Sequence, residues 1–215
     1  MNRIEISSLL DPQIADYLNI KDRTLRGESL FIAEGELVTE RLAESRFDIG
    51  SMFVDENRQG FLDRVEQILL KRGKKTDFPV YVTDTSLLRS AVGYDFHLGI
   101  MAIGIRQEQS DLHRFMGELY PQDVPVEERK TEDRSATALG CQRLVVLPSC
   151  VKPDNLGSMF RSSTALGVDG IILGRDTCDP LGRRALRTSM AATVKVPWFR
   201  TDDCLATLAE LKSQY

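Results

Sequence analysis

Two polar side chains, Asn155 and Arg161, stand in a segment whose pattern could place them at a binding site. They come shortly after the apolar run 144–147 and a proline, Pro153. An arginine holds a phosphate with its planar fork or orients a hydroxyl group, and an asparagine can donate a hydrogen bond nearby. The pair therefore indicates recognition of a phosphate or hydroxyl group. The alternative for Arg161 is an ordinary solvated helix charge.

The surrounding residues predict a β-α-β unit that would position this pair. Residues 144–147 are apolar enough for a strand buried on both faces, and Pro153 would end that strand. Asp154 and Asn155 are good N-cap residues for a helix that ends at Gly167, before a second apolar strand. The loop before the helix would then lie at the carboxyl end of a parallel strand, where open α/β sheets bind their ligands.

Helical spacing sets the direction of the arginine. One face without apolar character holds residues at intervals of three and four: Asp154, Ser158, Arg161 and Ala165. The guanidinium is therefore expected to project beside the loop. The glycines form neither GxGxxG nor GxxxxGK[ST], which argues against a dinucleotide or nucleoside triphosphate site. Both histidines lie outside this segment, so a Ser-His-acid triad is not expected.

The composition is that of a globular protein with balanced charge. The 215 residues are 42% hydrophobic with a net charge of −4 at pH 7, and no apolar run approaches the roughly 20 residues of a membrane helix. The start of the chain contains acidic side chains and no continuous apolar core, so neither a secretory nor a transit peptide is expected. The four cysteines are far apart and form no CxxC pair, which favours reduced thiols in a cytoplasmic protein without a metal site.

Strand-like and helix-like runs alternate over the first hundred residues, which predicts an α/β sandwich. The expected strands are 30–33, 51–55, 79–82 and 99–105, and the expected helices are 36–44, 61–71 and 86–92. Residues 107–140 are polar and acidic, which predicts an extended linker, with a short helix near 112–119 that docks on either domain. The sequence therefore predicts domains at 1–106 and 141–215, joined by a linker at 107–140.

The segment around Arg161 resembles the first signature motif of the SpoU (TrmH-like) RNA methyltransferases of the SPOUT class. The matching positions are Asn155, Gly157, Arg161, Ser162, Ser163, Gly167 and the run 168–173. A later segment resembles another stretch of the family at Asp179, Pro180, Arg184, Ala185, Arg187, Ser189, Pro197 and Trp198, although the family usually has glycine where this chain has Ala191. Residues 29–45 resemble the start of the family's substrate-binding domain and 99–104 the strand that closes it, so the matches span 29–200.

The resemblance implies an α/β fold with an amino-terminal α/β substrate-binding domain, followed by the first part of a SPOUT-type α/β methyltransferase domain. It also implies methyl transfer from S-adenosylmethionine to a ribose 2′-hydroxyl of ribosomal or transfer RNA, by a homodimer that needs no metal. In the family the motif arginine, here Arg161, is assigned the role of base. Because a guanidinium with a pKa above about 12 accepts a proton poorly, we expect Arg161 to clamp a phosphate instead. Asn155 would donate a hydrogen bond near the ribose, and Arg187 and Ser189 would support the phosphate.

Basic side chains concentrate in the segment that resembles the family. Residues 143–200 hold nine basic and four acidic side chains, as a phosphate-contacting surface requires. Asp179 and Pro180 predict a helix start just before the arginines. Five arginines are candidate contacts to RNA, with a solvated face as the alternative: Arg183, Arg184, Arg187, Arg23 and Arg26.

Two later motifs that complete the family's S-adenosylmethionine pocket are absent from this sequence. The chain is therefore expected to lack the knot-forming segment, and the cofactor-binding residues are expected beyond Tyr215. We also expect the sheet residues Ile171 and Ile172, together with Val194, to be partly bare. A non-catalytic RNA-binding protein or an inactive fragment remains the alternative to an active enzyme.

Overall fold

The computed structural model describes residues 1–18, 20, 29–94, 96–108, 111–119 and 143–214, and its strands form two sheets. The strands of the first sheet are β1 (Asn2–Glu5), β2 (Leu30–Glu34), β3 (Asp48–Asp55), β4 (Pro79–Thr83) and β5 (Ile100–Ile105). Within the described residues their order is β1-β4-β3-β5-β2. Strands β1 and β3 run parallel to β4, whereas β5 is antiparallel to both of its neighbours.

Helices cover both faces of this first sheet, which confirms the expected α/β architecture. They are α1 (Glu36–Glu44), α2 (Gln59–Lys71) and α3 (Thr85–Val92). Leu42 of α1 and Leu62 of α2 belong to one core cluster, while Leu88 of α3 packs in the other with Tyr17 of a short 3₁₀ helix. In β5, Gly104 leaves the space that the Phe31 ring of β2 fills.

The second sheet contains three parallel strands in the order β6-β7-β8 within the described residues. Its elements, with the helix that precedes them, are α4 (Leu112–Leu119), β6 (Leu144–Leu147), α5 (Pro153–Ala165), β7 (Gly170–Gly174), α6 (Arg183–Thr188), α7 (Ala192–Lys195), β8 (Trp198–Thr201) and α8 (Cys204–Gln214). The predicted β-α-β unit is therefore confirmed. None of the described helices is long and apolar enough to cross a membrane.

Several expectations about the second sheet were wrong in detail. Residues 144–147 are only half-buried, because β6 is an edge strand. By contrast Ile171, Ile172 and Val194 are at most 2% exposed. Alternation along β7 explains this burial, because Ile171 packs with the α5 residues and Ile172 packs with Phe115 of α4 and Leu211 of α8.

Two helices begin at other residues than expected. Helix α5 begins at Pro153 with Lys152 as its N-cap, so neither Asp154 nor Asn155 caps it. Proline suits the first helical position because it has no N–H group to leave unpaired and its φ is already helical. Helix α6 begins at Arg183 after the N-cap Gly182, and not at Pro180, because Asp179 and Gly182 form a turn closed by a 3.1 Å backbone hydrogen bond.

A left-handed turn ends α6. Met190 and Ala191 have φ values of +52° and +63°, a region that favours glycine. The Ala191 amide donates to the Leu186 carbonyl at 2.9 Å, which closes the helix end. Glycine adopts a positive φ without strain, which accounts for the glycine that the family usually has at this position. In this chain Ala191 has the positive φ and is 1% exposed.

The two halves of the molecule share one apolar cluster. Leu181, Leu186, Ala191 and Val194 of the second half pack in the same cluster as Phe31 of the first. An ion pair between Arg106 and Asp179, with 2.5 Å between Nη2 and Oδ2, lies at the same junction. This junction fixes α6 against β2.

Candidate functional site

Helix α5 presents both motif residues to solvent. Asn155 and Arg161 are exposed, and neither side chain forms a hydrogen bond or ion pair with a residue that the structure describes. Leu156 and Phe160, on the side that faces the sheet, are 0% exposed. Arg161 lies seven residues after Asp154, about 10 Å further along the axis and on the same helix face.

Gly157 determines how closely α5 approaches α6. A Cβ atom at Gly157 would lie 2.8 Å from the Thr188 Cβ and from the Ser189 backbone nitrogen, and 2.9 Å from the Ala185 carbonyl oxygen. These distances are too short for a carbon atom in a close-packed interior. The motif glycine is therefore required by helix packing, which brings the arginines of α6 to the first turn of α5.

Asp154 joins the two helices. Its carboxylate accepts hydrogen bonds from Arg184 Nε at 2.8 Å and from Thr188 Oγ1 at 3.1 Å. The bond from Arg184 is the main reason why the pKa of Asp154 lies below its ordinary value of 3.8, and the positive charge of Arg187 contributes to the same shift. The Arg184 side chain stays 67% exposed, so it remains accessible to a ligand.

Arg183 points away from this surface, into the junction with the first sheet. Its Nε lies 2.5 Å from a Glu34 carboxylate oxygen, and its Nη1 donates to the Ile20 carbonyl at 3.1 Å. Its guanidinium lies 4.6 Å from the centre of the Tyr94 ring, whose hydroxyl donates to Glu34 at 2.8 Å. Burial and the charge of Glu34 raise the pKa of Tyr94. These contacts argue against the expectation that Arg183 binds RNA.

The Ser189 side chain points into the protein, whereas that of Arg187 points to solvent. Ser189 is 1% exposed and its hydroxyl donates to the Leu186 carbonyl at 3.0 Å, so it does not face a phosphate as the resemblance implied. Arg187 is exposed, and its side chain has no hydrogen bond with a described residue. The outward-facing candidates on this surface are Asn155, Arg161, Arg184 and Arg187.

The remaining expectations concern metals and the amino-terminal arginines. Arg23 and Arg26 lie outside the described residues, as does Cys141. Cys150, Cys178 and Cys204 are free thiols. Within the described ranges, no three His, Cys, Asp or Glu side chains are grouped to hold a metal ion.

A cleft that the sequence did not indicate opens between the two halves, beside the carboxyl end of β7 and along β8. Its volume is about 810 Å³. Its wall includes four arginines and the indole of Trp198: Arg46, Arg106, Arg175 and Arg200. These residues are far apart along the chain, so their spacing gave no signal. Only the position of Arg175, directly after an apolar strand, could have indicated a ligand site.

A smaller hollow of about 290 Å³ lies at the carboxyl ends of β3 and β4. There Asp55 accepts hydrogen bonds from the Thr85 hydroxyl and from the Asn57 amide and side chain, the latter two at 2.9 and 2.8 Å. Burial alone would raise the pKa of Asp55, but these bonds outweigh it and lower the pKa. Asp55 therefore anchors the first turn of α3 as a fixed anion.

Sequence comparison relates the chain to RNA-modifying proteins. Residues 142–215 match the SpoU rRNA Methylase family. An uncharacterized tRNA/rRNA methyltransferase of Mycobacterium bovis is 27% identical over 207 residues, which are 94% of this chain and 62% of that protein. The 23S rRNA (guanosine(2553)-2′-O)-methyltransferase of Bacillus subtilis is 29% identical over 80 residues, which are 37% of this chain and 31% of that protein. The chain thus spans about three-fifths of the length of its mycobacterial relative.

Structural comparison gives the same fold. The crystal structure of an AdoMet-bound rRNA methyltransferase from Sinorhizobium meliloti matches with a TM-score of 0.66 and 22% identity, and the match covers 96% of this chain and 69% of that one. Both sheets of this chain therefore lie within the matched region. The segment 142–215, which holds the motif on α5, is thus similar to the SpoU rRNA Methylase family, and the chain as a whole shares the fold of this rRNA methyltransferase.

Proposed function

We propose that this protein transfers a methyl group from S-adenosylmethionine to a ribose 2′-hydroxyl of ribosomal or transfer RNA. The observation that carries the proposal is the guanidinium of Arg161 on α5, which is exposed and has no partner among the described residues, in the segment that matches the family. Support also comes from the relatives, which are named as tRNA/rRNA and 2′-O methyltransferases. RNA is thus the proposed partner, and the cytoplasm is the proposed location.

The proposed role of Arg161 is to clamp a phosphate next to the reacting ribose. A guanidinium offers two parallel N–H donors to a phosphate but is too weak a base to take the proton of a hydroxyl group. Asn155, exposed in the first turn of α5, would donate a hydrogen bond to the ribose. Holding the hydroxyl oxygen in line with a methyl group accounts for a large part of the rate enhancement in such displacements.

The α6 surface would extend the phosphate contacts. Arg184 and Arg187 are accessible and stand beside the first turn of α5, whereas Arg183 and Ser189 face inward. We therefore assign RNA contact to Arg184 and Arg187. Arg183 and Ser189 instead hold α6 in place.

S-adenosylmethionine would supply an electrophilic methyl group, and the described residues do not by themselves form its site. The molecule carries a sulfonium and an ammonium charge beside one carboxylate, so its net charge is +1, and the wall of the cleft holds one more arginine than carboxylates. Like charges in a partly desolvated cleft repel one another, so the cleft fits the cofactor poorly. We accordingly assign no described residue to the cofactor.

A homodimer is the proposed assembly. Exposed apolar side chains lie on α5 and in the turn after α6: Met159, Leu166 and Met190. Exposed apolar side chains of this kind are often covered by a partner protein. Light scattering of the purified protein would give a mass of two chains if the proposal holds.

The experiment that tests the function measures methyl incorporation from labelled S-adenosylmethionine into ribosomal and transfer RNA by the product of the complete natural gene. Resistance of the labelled nucleotide linkage to alkali identifies a 2′-O-methyl group. Arg161→Lys is expected to lose about as much activity as Arg161→Ala, because a lysine cannot form the planar fork. RNA affinity should fall only slightly in both variants.

Two results would contradict this proposal. Full activity of Arg161→Lys would show that positive charge alone suffices. Full activity of Arg161→Ala would remove α5 from the catalytic site. Arg72→Glu, a charge change at the exposed end of α2, serves as the control.

A further inference from the structure

We propose that the cleft between the two halves binds a nucleotide of the RNA strand that flanks the modified position, an inference that rests on the proposed function. Its volume of about 810 Å³ falls within the usual range of small-ligand sites, roughly 300–1,000 Å³. Both halves contribute to the wall, including Arg46, Phe47 and Arg106 from the first and Arg175, Trp198 and Arg200 from the second.

Two of the arginines, Arg200 and Arg106, hold the loop that forms part of the cleft wall. Arg200 donates to four backbone carbonyl groups at 2.8 to 3.3 Å: those of Gly174, Arg175, Thr177 and Cys178. These bonds order the loop after β7. Arg106 pairs with Asp179 and so ties the same loop to the end of β5.

The other two arginines, Arg46 and Arg175, could contact the base and the phosphate of a nucleotide. The Arg46 guanidinium lies 5.0 Å from the centre of the Phe47 ring and 5.9 Å from that of Trp198. The Trp198 indole is held by a 3.0 Å hydrogen bond from Nε1 to the Thr193 carbonyl. Arg175 is exposed, and its side chain has no partner among the described residues. Bases stack on aromatic rings and on guanidinium planes, and a free arginine binds the adjoining phosphate.

The charge of the wall selects an anion. Four arginines face three carboxylates, and Asp179 is already paired with Arg106. The other two carboxylates belong to Glu108 and Asp176. The remaining positive charge attracts a phosphodiester and disfavours a cationic ligand such as S-adenosylmethionine.

The cleft is continuous with the surface assigned to catalysis. Val151 lines the cleft, is 69% exposed, and stands two residues before the first residue of α5. A strand that leaves the cleft at Val151 therefore meets Asn155 in the first turn of that helix. This path places one nucleotide in the cleft while its neighbour reaches α5.

The single tryptophan of the chain provides a direct test, because Trp198 lines the cleft. We would titrate the protein with hexauridylate and follow the Trp198 emission and its quenching by acrylamide. Binding should quench the emission and protect the indole from acrylamide. Arg175→Glu should weaken this binding by about tenfold, through loss of a charged hydrogen bond. Arg72→Glu on α2 is the matched charge reversal and should bind as the unmodified protein does.

The outcomes separate this inference from the proposed function. Hexauridylate that binds, as seen by anisotropy of an attached dye, without changing the Trp198 emission and without responding to Arg175→Glu, would overturn the cleft assignment and leave RNA binding intact. S-adenosylmethionine that quenches Trp198 at micromolar concentration would also overturn it, by assigning the cleft to the cofactor. Methyl incorporation, measured separately with Arg161 variants, tests the proposed function whatever happens in the cleft.

Discussion

Gly157 illustrates what a single residue does in this site. Its lack of a side chain lets α6 approach α5, and the approach allows Asp154 to bind Arg184 and Thr188. Arg161 depends on the same packing, because its direction is that of α5. A motif residue without a side chain thus determines where the exposed polar side chains of α5 and α6 lie.

Gly157→Ala is expected to destabilise the protein by about 1–3 kcal/mol, because the added methyl group would overlap α6. Gly60, in the first turn of α2, has nothing within 4 Å of a Cβ atom and gives the matched control. Gly60→Ala should be neutral or stabilise by about 0.5–1 kcal/mol. Denaturant unfolding measures both, and equal stability of the two variants would refute the packing argument.

At the scale of elements, α5 and α6 form a pair held by one carboxylate. Asp154 in the first turn of α5 contacts residues at both ends of α6, namely Arg184 and Thr188. The pair packs on the sheet through Leu156, Phe160 and Ala185. The exposed cations of both helices are therefore presented on a common, rigid support.

The Asp154 link should make stability depend on pH. The pKa of Asp154 is lowered in the folded protein, chiefly by the bond from Arg184, so the link stabilises the fold fully above the ordinary value of 3.8 and is lost as the pH falls through the folded pKa. Asp154→Asn should reduce stability at neutral pH and flatten its decrease on acidification. Asp202→Asn, at an exposed position, is the control. Identical acid profiles for Asp154→Asn and the unmodified protein would contradict the role of the link.

At the scale of the whole molecule, the junction between the two sheets is both apolar and ionic. Leu181 and Leu186 pack in the core cluster of the first half. The Glu34 carboxylate forms an ion pair with Arg183 and accepts a hydrogen bond from the Tyr94 hydroxyl. The Glu34 side chain is 4% exposed, so its charge needs these partners. The cleft exists only because this junction fixes the two halves side by side.

Glu34→Gln should destabilise the protein by about 1–3 kcal/mol, because Arg183 loses a charged partner in a largely buried site. Glu44 pairs with Arg41 on the surface, with 35% and 42% of their side chains exposed, and Glu44→Gln should cost at most about 0.5 kcal/mol. Unfolding monitored by Trp198 fluorescence, which reports the second half, gives both values. Equal losses in the two variants would show that the junction is no stronger than a surface contact.

Limited proteolysis tests the proposed division into residues 1–106 and 141–215 with a linker at 107–140. Trypsin is expected to cut first at Arg129, Lys130 or Arg134, because that acidic, polar segment has little apolar surface to bury. Phe115 of α4 packs with Ile172 of the second sheet, so cleavage should follow α4 and not precede it. The two fragments should stay together on gel filtration because the junction remains. First cleavage elsewhere would refute the division.

The sequence alone determined the local structure of the second sheet and its resemblance to the SpoU family. The apolar run 144–147, the helix with Arg161 and the run 170–174 are adjacent in the chain, so their periodicity was enough to predict a β-α-β unit. The helix over 36–44 was correct to the residue for the same reason. The predicted N-cap of α5 was wrong, because Lys152 is the N-cap and Pro153 the first helical residue, before Asp154 and Asn155.

Only the tertiary structure decided which arginines face solvent and which are bound within the molecule. Arg183 and Arg187 stand one helical turn apart and look equivalent in sequence, yet Arg183 is bound to Glu34 from a strand about 150 residues earlier. The arginine-lined cleft likewise joins residues from 46 to 200. Helical spacing fixes a side chain's direction relative to its own axis, whereas its partners depend on how distant elements pack, and no local pattern encodes that.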